Sequence, residues 1–200
     1  VTAAAVVIAL AARQQRSATT AARAGSRQGA RRDRNGAATV AGVAAAAGFD
    51  EVVLVVGDEA TASGVPDDVT VLLDESAEPS ELSALRAGLD WCARIGHSVA
   101  VVASVPVGAP PPAGTADAAL WVALAGQPVA GPPIVLAGGR GGACGPARLE
   151  AAAWPLLPLA GDLASAWRSR PELVRPLDTA ETAPASPGSA AELAREPKRE

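Results

Sequence analysis

The densest run of chemistry-bearing side chains in this 200-residue chain is a set of seven arginines between Arg13 and Arg34. Guanidinium groups pair bidentately with phosphate, so the segment offers an arginine-rich arm for phosphate or RNA. Its remaining residues are mostly Gln, Ser, Thr, Gly and Ala with almost no apolar periodicity. Such a stretch buries too little surface to offset its chain entropy, so Ala11 to Ala38 reads as a solvated, poorly ordered segment. His97, the only histidine, follows a helical pattern ended by Gly96 and reads as a partner of the helix dipole rather than a catalytic base. Cys92 and Cys144 match no metal spacing and read as two free thiols in a reducing compartment.

A site needs elements to hold it. The central one is Ser98-Val-Ala-Val-Val-Ala-Ser-Val-Pro106, an apolar run with helical patterns on either side, which reads as a buried parallel strand. In an open α/β sheet ligands bind beyond the carboxyl ends of the strands, so residues 103–108 are expected to face the site. No carboxylate, histidine or lysine stands there. Ala3 to Leu10, Val52 to Gly57, Val69 to Leu73 and Pro133 to Ala137 read as further strands, and Leu173 to Leu177 as a short one.

Helices are expected between them. Thr39 to Gly48 reads as a short helix capped by Thr39 and stopped by Gly48. Ser80 caps a clearer one, in which Leu82, Leu85, Leu89, Cys92 and Ile95 form an apolar stripe while Glu81, Arg86, Asp90 and Arg94 belong to the solvated face. Thr115 to Ala125, Arg148 to Leu157 and Asp162 to Arg170 complete the set, the last capped by Asp162 and ended by Pro171. The Pro-rich stretch after Pro106 and the Gly-rich stretch 138–146 read as loops. Alanine and valine must build most of the core, because only 2% of the chain is aromatic. The net charge of −4 argues against a general nucleic-acid binder. Val1 to Ala12 is too short to span a membrane and has no basic region before it, so the chain reads as cytoplasmic, with no membrane partner.

Three segments carry a resemblance: Gly48-Phe-Asp-Glu-Val-Val-Leu-Val-Val-Gly57, Ser80-Glu-Leu-Ser-Ala-Leu-Arg-Ala-Gly-Leu89 and Pro133-Ile-Val-Leu-Ala-Gly-Gly-Arg-Gly-Gly142. With Leu149 to Leu157, Gly161 to Ala166 and Arg170 to Val174, they resemble the MobA-like NTP transferases, most closely the molybdenum-cofactor cytidylyltransferase branch. The likeness covers roughly residues 39–178. It implies a Rossmann-like three-layer α/β/α fold with a mostly parallel sheet, of the nucleotide-diphospho-sugar transferase type. The domain would span residues 1–178, with 179–200 a flexible tail.

The resemblance also implies an activity: transfer of a nucleoside monophosphate from CTP or GTP to a phosphorylated acceptor such as a molybdopterin-type cofactor, with Mg²⁺. Nucleotide contacts are implied for Leu10, Ala11, Ala12, Arg13, Arg16, Ser80 and Ser83. Leu10-Ala-Ala12 matches the start of the family's LAAGxSxRxGxxK loop, but Arg13 replaces the glycine. Ser104 occupies the place of the metal-binding Asp in the family's GDxP turn, leaving Asp178 as the candidate metal ligand. The family's Gly-His-Pro stands as Cys144-Gly-Pro146. Three readings follow: a divergent enzyme, a pseudoenzyme that binds a nucleotide or partner without turnover, and out-of-frame translation of a GC-rich gene across Ala11 to Ala38.

Overall fold

The computed structural model describes residues 2–10, 35–76, 78–107, 110–112, 114–128, 130–137 and 145–177. Its frame is one seven-stranded sheet in the order β3-β2-β1-β4-β6-β5-β7. The strands are β1 (Ala3–Ala9), β2 (Glu51–Val56), β3 (Thr70–Leu73), β4 (Val99–Ser104), β5 (Ile134–Leu136), β6 (Ala147–Glu150) and β7 (Val174–Pro176). The first four run parallel to one another, β6 runs antiparallel to both β4 and β5, and β7 lies parallel to β5. The mostly parallel sheet anticipated from the apolar runs is therefore present. Runs such as Val-Val-Leu-Val-Val in β2 and Val-Ala-Val-Val-Ala in β4 are apolar throughout because both faces of these strands are covered.

Helices α1 (Asn35–Ala46) and α3 (Ala118–Ala125) cover one face. Helices α2 (Glu81–Arg94) and α4 (Leu163–Ser169) cover the other, giving three layers. In α1, Ala37, Val40, Ala41 and Ala44 recur at helical spacing and are buried against the sheet. The helix begins at Asn35, inside the stretch expected to be a loop, so Thr39 is an interior residue and not an N-cap. Gly48 does end this segment, in the left-handed conformation at φ 81°.

The stripe of α2 is close to expectation. Leu82, Leu85, Leu89 and Cys92 are buried, each leucine contributing about 2 kcal/mol of apolar burial. Ile95 is not part of it: that residue is the C-cap, past the last helical turn, and is exposed. Gly96 follows at φ 90°. His97 then lies at the amino end of β4, its main-chain N–H donating to Cys92 O at 2.9 Å. Trp121 fills the opposite core, edge-on to Phe49 at 5.9 Å, so two of the few aromatic residues bolster a core otherwise built from alanine, valine and leucine.

Arg148 to Leu157 departs from the expected helix. Its first residues form β6, and Ala151–Leu156 forms a 3₁₀ turn. Arg148 is fully buried between β4 and β5, opposite Val101 and Val135, and pairs with Glu150 at 2.7 Å. Ladder bonds to two neighbouring strands outweigh the helix propensity of Arg-Leu-Glu-Ala-Ala-Ala. Asp162 caps α4 as read, accepting from Ser165 N–H at 2.7 Å. Among the described residues no helix is long and apolar enough to cross a membrane.

Candidate functional site

The order of strands creates one crevice. The chain proceeds outward from β1 to β2 and β3, then returns to place β4 on the other side of β1, so the carboxyl ends of β1 and β4 meet where the direction of winding reverses. Ile8 and Ser104 are paired there. The pairing continues outward, with Val105 N–H donating to Ile8 O at 2.7 Å and Val107 N–H to Leu10 O at 3.3 Å. Leu10 thus stands at the rim of the crevice, packed beside Gly57.

The carboxylate missing from β4 reaches the crevice from α2. Ser104 Oγ donates to Glu81 Oε1 at 2.5 Å, and Glu81 Oε2 accepts the Leu163 N–H at 2.9 Å. Lying off the apolar stripe, Glu81 reads from the sequence as part of the solvated face. That assignment fails because the first turn of α2 projects past the end of the sheet, where a residue off the stripe overhangs β4. Arg86 also leaves the solvated face, donating to Leu157 O at 2.7 Å and Pro158 O at 3.3 Å. These bonds tie α2 to the segment leading into α4.

Beside Glu81 and Ser104 lies a cleft of about 120 Å³, walled by Pro106, Pro112, Gly145, Leu163 and Trp167. Its walls are held from behind. Trp121 Nε1 donates to Thr115 O at 2.9 Å, and the buried Thr115 hydroxyl donates to Pro112 O at 2.7 Å, which fixes the proline over the cleft. Gly145 is required at the entry to β6, since a β-carbon there would collide with the Ala137 carbonyl. Asp162, at the start of α4, has its carboxyl held below the usual range, first by the Ser165 N–H and then by the Ser165 side chain.

Ser80 and Ser83 sit at the start of α2 in a reciprocal cap: Ser80 Oγ accepts from Ser83 N–H at 3.1 Å and Ser83 Oγ from Ser80 N–H at 2.7 Å. Ser83 Oγ also donates to Asp74 Oδ2 at 2.8 Å, linking this helix start to the carboxyl end of β3. Leu10, Ser80, Ser83 and Ser104 therefore all lie along the carboxyl edge of the sheet. Ala11, Ala12, Arg13, Arg16 and Asp178 lie outside the described residues, as do Cys144, the remaining arginines of the Arg-rich run, positions 138–144 and the C-terminal tail. Cys92 is buried, and desolvation, with Glu51 adding to it, pushes its thiol up to about 12. His97 lies at the opposite edge of the sheet from Ser104, with its Nδ1 buried and unpartnered.

This architecture is a Rossmann-like three-layer α/β/α fold with a mostly parallel sheet. It is shared with a nucleotidyl transferase from Methanothermobacter, Mth528, at TM-score 0.56 and 18% identity over 88% of this chain and 87% of that one. Rv0371c from Mycobacterium tuberculosis is similar at TM-score 0.51 and 21% identity, covering 88% and 87% of the two chains. The Aquifex aeolicus protein Aq1419 matches at TM-score 0.54 and 14% identity over 90% of each. At such identities the likeness establishes the fold alone. No protein-family model matches the chain, and no curated sequence does.

Proposed function

We propose that this chain is a nucleotidyltransferase, acting in the cytoplasm, that transfers a nucleoside monophosphate from CTP or GTP to a phosphorylated small-molecule acceptor such as a molybdopterin-type cofactor. The observation that carries the reading is the Glu81–Ser104 pair at the switch point of the sheet, where a fold of this type binds its ligand. In the reaction an acceptor phosphate oxygen forms a bond to the α-phosphorus while the bond from that phosphorus to the bridging oxygen breaks and pyrophosphate leaves. Such chemistry depends on positioning and on neutralising charge. On this reading Leu10 and the Ser80–Ser83 helix start, which share the carboxyl edge of the sheet, make the nucleotide contacts. Mg²⁺ is the cation this reading calls for.

The test is pyrophosphate release from CTP and from GTP, each with Mg²⁺, with and without molybdopterin. Acceptor-dependent release supports the reading. A second reading is favoured by one feature: both oxygens of Glu81 already accept bonds from the protein. On that reading the chain binds a nucleotide without turnover, and saturable binding of CTP or GTP with no pyrophosphate release would select it.

A further inference from the structure

The sheet ends at β3 on a free edge: β2 pairs with one side of that strand, and no described residue pairs with the other. Asp74 N–H donates inward to Val56 O. Main-chain groups alternate in direction along a strand, so those of Val71 and Leu73 point outward. The strand is Thr-Val-Leu-Leu, without the proline, lysine or bulge that keeps an exposed edge from pairing. Val71 and Leu73 are 40% and 42% exposed. We propose that β3 is an interface for a second copy of this chain, the two β3 strands pairing antiparallel about a two-fold axis so that one sheet runs through both copies. The inference is independent of the nucleotidyl-transfer reading.

The outward groups set the register. Centred on Leu72, the pairing places Val71 opposite the partner's Leu73 and Leu73 opposite the partner's Val71, and residues so placed exchange both of their main-chain bonds. Leu72 packs against the core beneath α2, so Val71 and Leu73 share the other face of the strand. Pairing brings these exposed side chains of the two copies together.

Charge selects a like chain over a foreign strand. An open groove of about 950 Å³ runs between β3 and α2, lined by Val71, Leu73, Glu75, Ala87, Asp90 and Arg94. Glu75 stands past the carboxyl end of β3, and Arg94, in the last turn of α2, stands towards its amino end. Neither forms an ion pair among the described residues, and Arg94 lies over the Trp91 ring at 5.1 Å. A two-fold axis reverses the second copy, so each Glu75 faces the partner's Arg94. The turn before β3 is acidic too, at the exposed Asp67 and Asp68. Arg94 is therefore the group that lets Glu75 approach that end. A second copy satisfies both ends at once, because an isologous interface is self-complementary.

The test is sedimentation equilibrium of the full-length chain over a range of concentrations, with amide hydrogen exchange in β3. The wild-type chain is expected to dimerise reversibly, with the Val71 and Leu73 amides protected in the dimer. Val71→Pro removes an outward N–H where an edge strand tolerates proline. It is expected to weaken dimerisation about tenfold or more, since the bond is lost twice by symmetry, with the circular dichroism unchanged. Arg94→Glu is expected to weaken it by about as much, through like-charge contact. Glu75→Arg added to R94E is expected to restore it, a rescue that a packing defect would not show. A chain that is monomeric at every concentration, or a dimer indifferent to either variant, overturns the inference. So does an R94E defect that Glu75→Arg leaves in place. If V71P unfolds, R94E and R94E/E75R carry the test. A monomeric chain whose Val71 and Leu73 amides are protected only on adding a synthetic extended peptide also overturns it, and gives the edge to a foreign strand.

Discussion

Ser104, the last residue of β4, donates a hydroxyl hydrogen bond to Glu81 of α2 across 2.5 Å, so a hydroxyl and one carboxylate stand where two carboxylates would repel. Ser104→Asp forces that repulsion. One of the two acids must then keep its proton, and its folded-state value rises above the unfolded value of about 4. An acid whose value is raised contributes its stability below the unfolded value and loses it as pH climbs through the folded one. S104D is therefore expected to be less stable at pH 7.5 than at pH 5, by about 0.3–1.4 kcal/mol for a rise of one or two pH units. Urea melts at the two pH values measure it. In the E81Q background the dependence should vanish, and a pH-independent S104D would refute the repulsion.

Gly88 determines how closely α2 lies on the sheet. A β-carbon there would stand 2.6 Å from Val6 Cγ1 in β1 and 3.3 Å from Val55 Cγ2 in β2. Both valines are fully buried, so neither has room to retreat. Gly88→Val is expected to destabilise the fold by about 2–3 kcal/mol through overpacking, against the usual gain on replacing a helix glycine. Chemical denaturation decides it.

The elements that were legible in the sequence are those whose burial is repetitive. β1, β2 and β4 show as apolar runs because both faces of each are covered, and α2 shows because its leucines keep a helical period. β6 was hidden by its composition. Its residues favour helix, and the telling feature is the spacing of Arg148 and Glu150, two apart, which places both on one face of a strand but not of a helix. Glu81 was hidden for a different reason. Periodicity reports which face of a helix meets the sheet, and says nothing of a turn that extends past the sheet's end. Its partnership with Ser104 spans 23 residues of chain and becomes visible only once β4 and α2 are side by side.

Cys92 lies on the buried, sheet-facing side of α2 with no exposed surface, and its thiol value is raised to about 12, by desolvation first and the nearby Glu51 second. The thiolate is the reactive form, so this cysteine is expected to be inert in the folded protein. In a Cys144→Ala variant, the remaining thiol should not react with Ellman's reagent at pH 8 until denaturant is added. Linkage gives the companion effect. An unfolded thiol ionises near 8.5 while the folded one stays protonated to about 12, so stability is complete below 8.5 and declines above it. A free-energy curve that stays flat between pH 8 and 10 would contradict this.

Arg148 is 1% exposed, and its pair with Glu150 at 2.7 Å is the one ion pair of the described residues that lies in the interior. Its Nε has no partner, so the guanidinium depends heavily on that carboxylate. Removing the acid alone leaves an uncompensated charge between β4 and β5, a change that costs about 3–5 kcal/mol. Glu150→Ala is expected to fall in that range. Arg148→Met with Glu150→Leu removes both charges and the orphaned Nε while keeping most of the volume, and a buried ion pair so replaced is often neutral or stabilising. The double variant should therefore be more stable than Glu150→Ala by at least about 2 kcal/mol, as read from urea midpoints. The comparison isolates what the pair does. If the double variant is as unstable as Glu150→Ala, the loss comes from side-chain packing between β4 and β5, and not from a stranded charge.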